Sequence, residues 1–306
     1  MKDSKAHLAL LLVNTIYGAS HVIAKGVMPT FLSPNVFILF RVAGATLLFW
    51  VLIFFIKRDQ IEKRDFLRLM FCGLFGVAIN QLCFFHGLNL SSSINSGIIM
   101  ALNPIMVLIL SFFILHQRPS LYNTIGVVIG AIGAILLTWK GATGSTDSWS
   151  GDIFLFVNSL SYAIYLVIAK PLISKYNPMT VITWVFSFGL LFVLMFPLTI
   201  PELMETNLFM PSQIWLKIIF VVVGVTFLTY LLTMYGLKYL SPATSSVYIY
   251  VQPILVLLFT YLFAFIHWSE DYRDSISSEK IFYMLIIFVG VYLSTRKSKT
   301  IQKEHD

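Results

Sequence analysis

The chain has 306 residues, 58% of them hydrophobic and 11% charged, with a mean hydropathy of +0.84. A soluble domain of this length cannot bury that much apolar surface, so soluble classes are excluded. The net charge of +7 lies in short patches between apolar stretches, which fits membrane topology and not nucleic acid.

A spanning helix needs about 20 mostly apolar residues. The first span is predicted at 7–25. Its basic start, "MKDSKAHLALLLV", resembles a signal peptide. The apolar stretch runs on to Lys25, so it is read as a retained helix. Asn14, Tyr17, His21 and Lys25 fall on one face of it, at spacings of 3, 4 and 4. Such a stripe either lines a central cavity or bonds a neighbouring helix. Cavity lining is the preferred reading, and His21 is the residue there that titrates near neutrality.

The second span, 35–56, carries Arg41, about two turns from its start. Arg41 is suited to bidentate recognition of a carboxylate, but snorkelling to headgroups is the simpler reading. The third span, 66–86, holds Cys72 and Cys83, which helical rise separates by roughly 16 Å, too far to pair. Asn80 and Gln81 are its polar centre, and His86 sits at its outer end, where an interfacial role is the simpler reading.

The fourth span, 94–115, contains Asn103 directly before Pro104. A proline there kinks a helix and frees a carbonyl one turn earlier, beside the amide. The fifth span, 121–139, presents Gly126, Gly130 and Gly133, a surface for close helix packing within the chain or, alternatively, for a homodimer. The sixth, 152–172, repeats the polar stripe with Asn158, Tyr162 and Tyr165 and ends at Lys170. A seventh span follows at 179–200. The eighth, 214–236, carries Tyr230, and the ninth, 243–266, carries Tyr248, Gln252 and Pro253. A tenth span at 280–296 completes the chain. Tyrosines in this second half suit amphipathic ligands such as amino acids or amines.

The two prolines lie 149 positions apart, and so do Leu88/Leu237, Ser92/Ser241, Ser96/Ser245, Ile105/Ile254 and Asn103/Gln252. "YGASHVIAK" (17–25) matches "YAIYLVIAK" (162–170) at an offset of 145. The chain therefore reads as a duplication, residues 1–141 and 142–306. Five spans per unit is an odd number, so the second unit is inverted relative to the first. With the N-terminus cytoplasmic, fifteen Lys and Arg face inward and five outward, which places both termini in the cytoplasm. Inverted repeats are a signature of secondary transporters, whose halves rock about a mid-membrane site.

Ten spans in two inverted five-helix halves resemble the drug/metabolite transporter superfamily, specifically its EamA-type members. The small and aromatic first helix of each half with its terminal Ala-Lys, Arg41, and Pro104 and Pro253 carry the resemblance, which covers nearly the whole chain. It implies an all-α integral membrane protein of the cell (inner) membrane. It also implies a cavity that opens to one side at a time and moves small metabolites, often outward. Tyr17 stands where the family often has tryptophan, and Gln117 where it often has glutamate, so that glutamate's role is not carried over. Lys25 and Lys170, ending equivalent helices on opposite faces, read as snorkelling side chains or as paired gates.

All fourteen acids fall in loops, tails or span ends. A membrane carboxylate that titrates in the cycle is therefore not expected, which favours a facilitator, an exchanger or coupling through histidine. No phosphate loop, zinc-ligand cluster, nucleophile elbow or CxxC pair occurs, so neither catalytic activity, a metal nor a cofactor is expected. The partners expected are a small-molecule substrate and the lipid bilayer.

Overall fold

The structure, a computed structural model, describes residues 2–25, 27, 31–56, 59–90, 99–139, 149–252, 254–255, 258–259, 262 and 278–295. Among them all regular structure is helical. Five helices are long and apolar enough to cross a membrane: Pro34–Ile53, Lys63–Gly87, Trp149–Lys175, Pro178–Met195 and Ser212–Tyr239. Three shorter apolar helices cover Ile99–Leu115, Leu121–Leu136 and Ile281–Thr295. Leu8, Leu47, Phe113, Leu216 and Phe282 are all more than half exposed on helix surfaces, as lipid-facing side chains are.

The first helix, α1 (Lys2–Lys25), starts five residues earlier than its apolar run. The next, α2 (Pro34–Ile53), begins on Ser33, whose hydroxyl accepts from Val36 N at 3.3 Å, with Pro34 in the first turn. The seventh predicted span begins in the same way. Asn177 Oδ1 accepts from Met179 N at 2.9 Å ahead of Pro178.

The third and eighth spans share an irregularity. The third runs as α3 (Lys63–Gly73), a π-helical segment at Leu74–Ile79, and α4 (Asn80–Leu90). The eighth contains a π-helical segment at Val221–Leu228. Shifted by 149, the first π segment falls inside the second, and both end one residue before a polar position, Asn80 or Thr229. Such wide turns cost hydrogen-bond geometry and gather at functional sites.

Two predicted helices are interrupted. Helical residues 99–101 end in a turn at Leu102, and α5 (Asn103–Leu115) starts afresh. Pro104 thus sits in the first turn of a new helix, not midway along a kinked one. No N–H is needed at that position, which removes the cost of a mid-helix proline. The helix ends on His116 in the left-handed conformation, φ 52°. In the ninth span, Pro242–Ser246 is α-helical and Val247–Val251 is 3-10, up to Gln252. Pro253 lies outside the described residues.

The remaining elements are α6 (Leu121–Trp139), α7 (Trp149–Lys175), α8 (Pro178–Met195), α9 (Thr199–Glu205), α10 (Ser212–Phe220), α11 (Thr229–Tyr239), α12 (Pro242–Ser246) and α13 (Ser278–Thr295). The seventh span ends at Met195, not at residue 200. Phe196 is extended (ψ 125°), as expected of a residue before proline, and the short α9 follows.

Packing is reciprocal. The first helix lies on the second π segment and α11, while α7 lies on the first π segment and α4. The long helices α2 and α8, each starting on a capped proline, face each other. Their centre is Phe49, with Phe186 at 5.0 Å and Phe227 at 4.7 Å between ring centroids. Beside it, Trp50 Nε1 donates to Ser187 Oγ at 2.9 Å.

The glycine face of α6 is filled from within the chain by α13. A Cβ on Gly290 would lie 2.4 Å from Gly130 N, and one on Gly126 would lie 2.5 Å from Ser294 N. That face is therefore not available to a second copy, and the homodimer reading of these glycines is corrected.

Candidate functional site

A cavity of about 290 Å³ lies among α1, α2, α4, α5, α7, the second π segment, α11 and the Val247–Val251 segment. From the first half of the chain Asn14, Tyr17, Asn80, Gln81 and Asn103 line it. From the second half Asn158, Tyr162, Tyr230 and Gln252 do so. The polar stripes of α1 and α7 thus face the same space, although they are separated by more than 140 positions.

The amides tie the walls together. Asn103 Nδ2 donates to Ser159 O at 2.7 Å, joining α5 to α7. Gln252 Nε2 donates to Asn14 Oδ1 at 2.8 Å, joining the ninth span to α1. Asn158 Nδ2 donates to Asn80 O at 2.7 Å, and Asn80 Nδ2 donates back to Asn158 O at 3.4 Å. At the matching position of the other wall, the Thr229 and Tyr17 hydroxyls lie 3.2 Å apart.

Arg41 also lines the cavity and is only 8% exposed. Its guanidinium carbon lies 5.1 Å from the Phe85 ring centre and 5.8 Å from that of Phe37. Its Nε donates to Thr226 Oγ1 at 3.1 Å. Snorkelling is thereby overturned, because the side chain turns into the bundle beneath two rings.

Other expected residues stand elsewhere. Tyr165 is fully buried outside the cavity wall. Its ring occupies the space beside Gly76, where a Cβ would come within 2.4 Å of it. The Tyr248 hydroxyl bonds His7 Nδ1 at 2.6 Å and is not part of the wall. Lys170 Nζ donates to Leu237 O at 2.5 Å and Leu240 O at 2.8 Å, capping the carbonyl end of α11. That bonding replaces the snorkelling reading of Lys170. His21 and Lys25 belong to the backbone of α1, but their side chains lie outside the described residues.

Sequence reasoning missed Ser159, Thr233, Ser245 and Ser246, which also line the cavity. Thr233 follows Tyr230 by three positions, so helical spacing places both on one face. Ser245 carried a signal in its repeat match with Ser96, whereas Ser159 and Ser246 carried none comparable.

Two polar networks lie away from the cavity. Glu202 accepts from Ser33 Oγ and from Asn35 Nδ2, the latter at 2.9 Å. His86 Nε2 bonds Asn35 Oδ1 at 3.0 Å, so this histidine belongs to a helix-end network, not a bare interface. In the other network Asp59 accepts from Asn177 N. Lys175 pairs with Glu62 at 2.5 Å and Asp65 at 2.7 Å. Lys175, then Arg64, holds the Glu62 carboxyl below its ordinary range. Each half of the chain therefore supplies an acid to the capped start of the other half's second helix.

A cavity with polar groups set in a mainly apolar lining, inside a bundle of apolar helices, is the arrangement of a membrane protein that handles a small molecule. The model of the EamA-like transporter family matches residues 4–139 and 149–296. The chain belongs to that family, within the drug/metabolite transporter type, and is a multi-pass membrane transporter.

It is 25% identical over 270 residues to the uncharacterized transporter YyaM of Bacillus subtilis (strain 168), covering 85% of this chain and 87% of the relative. An uncharacterized transporter of Archaeoglobus fulgidus is 29% identical over 256 residues, covering 83% and 88%. The WAT1-related protein At4g30420 of Arabidopsis thaliana is 25% identical over 216 residues, covering 60% and 58%. One solved crystal structure superposes on 96% of each chain with a TM-score of 0.69 at 17% identity, a likeness of fold alone.

Proposed function

We propose that this chain is a secondary transporter that carries small organic metabolites through the central cavity by alternating access. In this reading ten spans form two inverted five-helix halves, 1–141 and 142–306, with both termini cytoplasmic in the cell (inner) membrane. The direction is export, as the family resemblance implies. The chain moves its substrate unchanged.

One observation carries the reading. Asn103, before the first proline, bonds to Ser159 on the first helix of the second half. Gln252, before the second proline, bonds to Asn14 on the first helix of the first half. Each half thus reaches across the cavity at the equivalent residue. The matching π segments and the reciprocal packing support the same exchange. A pair of halves joined this way has two equivalent arrangements, one open to each side, as alternating access requires.

The test is a metabolite-wide uptake and efflux screen in proteoliposomes, with each compound recovered and checked for chemical change. Saturable flux of an unchanged compound is expected. Absence of saturable flux for every compound overturns the proposal.

A further inference from the structure

The cavity wall holds one formal positive charge and, among the described residues, no carboxylate. Arg41 is more than nine-tenths buried on that wall. None of the described ion pairs includes it. One of its five N–H groups, on Nε, is bonded to Thr226 Oγ1. The four N–H groups on its two terminal nitrogens have no protein acceptor among the described residues. A buried cation without a counter-charge is unfavourable unless its donors are met from within the cavity. The rings of Phe37 and Phe85 offset part of this through their electron-rich faces. They neutralise no charge and accept no conventional hydrogen bond.

We infer that Arg41 is the anion-recognition residue of this cavity and that the transported molecule carries a carboxylate or phosphate-type oxyanion on an apolar body. The inference rests on the transporter reading above and narrows its substrate. The Thr226 bond fixes the guanidinium about Nε and leaves its end-on pair of nitrogens for a bidentate oxyanion. Further along the wall, Asn103 Oδ1, Ser159 Oγ and Ser245 Oγ are buried without a hydrogen-bond partner. The Tyr230 hydroxyl donates to Gly76 O at 2.9 Å and also bonds the Gln81 side chain, so this part of the wall is already paired. Buried polar atoms of this kind lack a partner that a bound water or a ligand's uncharged polar group can supply. Leu10, Val13, Met100, Leu166 and Ile249 form the apolar part. A substrate amine finds no acid on this wall among the described residues, so a net-cationic substrate is repelled.

The probes are four matched compounds: phenylacetate, phenylphosphonate, phenethylamine and phenylacetamide. Each is titrated into purified protein in detergent and read by calorimetry. At least one of the two anions is expected to bind tenfold or more tightly than the amide and the amine. Arg41→Gln is expected to weaken that anion at least tenfold, to the level of the amide, with the amide itself little changed. Arg41→Lys should keep part of the anion preference, since it keeps the charge and loses the fork. Thermal melting checks that each variant is folded. If Arg41→Gln does not fold, the wild-type ranking alone decides.

The assignment is overturned if neither anion binds to the wild type. It is also overturned if the amine or amide binds as tightly as the better anion, or if the anion binds Arg41→Gln with wild-type affinity. Its failure is distinguishable from failure of the transport reading. Saturable flux of cations alone sinks the anion site and leaves the transporter. Anion binding through Arg41 without flux of any compound does the reverse.

Discussion

Gln252 Nε2 donates to Asn14 Oδ1 at 2.8 Å across the cavity, between residues 238 positions apart. Asn14 in turn donates from Nδ2 to Leu10 O at 2.7 Å, so its amide is held on both sides. Removing Gln252 leaves Asn14 Oδ1 buried without a partner, at a cost of about 1–3 kcal/mol. Gln252→Ala is therefore expected to raise the concentration for half-maximal flux several-fold, with the maximal rate less affected. Asn103→Ala should do the same through Ser159. Flux measured against concentration gives both quantities, and unchanged half-saturation in both variants would refute a role for this pair in the site.

The contact between α6 and α13 tolerates no side chain at its crossing. A Cβ on Gly290 meets the Gly130 backbone at 2.4 Å, and backbone cannot swing aside as a flexible side chain can. Gly290→Val should lower the melting temperature, with a loss of about 1–3 kcal/mol or more from overpacking. Gly224→Ala is the matched control, because its new Cβ meets nothing closer than Phe220 at 3.5 Å. Equal melting temperatures for the two variants would contradict this account of the packing.

Much of this was readable in the sequence where periodicity and duplication spoke together. Apolar length located the five long apolar helices, because lipid forces backbone bonds to close within each segment. The offset of 149 located Asn103 and Gln252 before either bond was visible. Arg41 was misjudged because a helix position alone does not say whether a long side chain turns outward or inward. The rings of Phe37 and Phe85 decide that, and their convergence is tertiary. Lys170 was misjudged for a related reason: its acceptors are backbone carbonyls, which leave no trace in composition. The π segments were invisible because an added residue per turn changes neither hydrophobicity nor length enough to register.

The proposed orientation rests on fifteen inward against five outward basic residues. In a background without Cys72 and Cys83, single cysteines at Ser145 and Ser277 should react with an impermeant reagent from outside. A cysteine at Gln60 should react from inside. The opposite pattern would overturn the orientation, and mixed labelling at one site would overturn the span count between sites.

No acid lines the cavity among the described residues, so proton coupling through a membrane carboxylate is not expected. A pH gradient imposed on proteoliposomes should drive little accumulation of substrate. If accumulation is strong, His21→Gln with His86→Gln should abolish it. Strong accumulation that survives the double variant would mean that a proton-carrying group has been overlooked.

The two prolines test whether the breaks in the fourth and ninth spans move. Pro104 stands in the first turn of α5, two residues after the turn at Leu102. Leu102 N reaches back three residues to Ile99 O at 3.1 Å, and Met106 N takes Leu102 O at 3.0 Å. Pro104→Ala supplies the missing N–H and allows one continuous helix through Leu102. The protein should melt at the same temperature or higher. If the break is the hinge of the proposed alternating access, turnover should nevertheless fall several-fold, with substrate affinity less changed. Pro253→Ala is expected to act in the same way, from its position in the repeat and its neighbour Gln252. The decisive measurement is maximal flux for each variant and for both together, with folding checked by thermal melting. Wild-type turnover in the double variant would show that these prolines only shape the helices, and the hinge would have to be sought at the π segments instead.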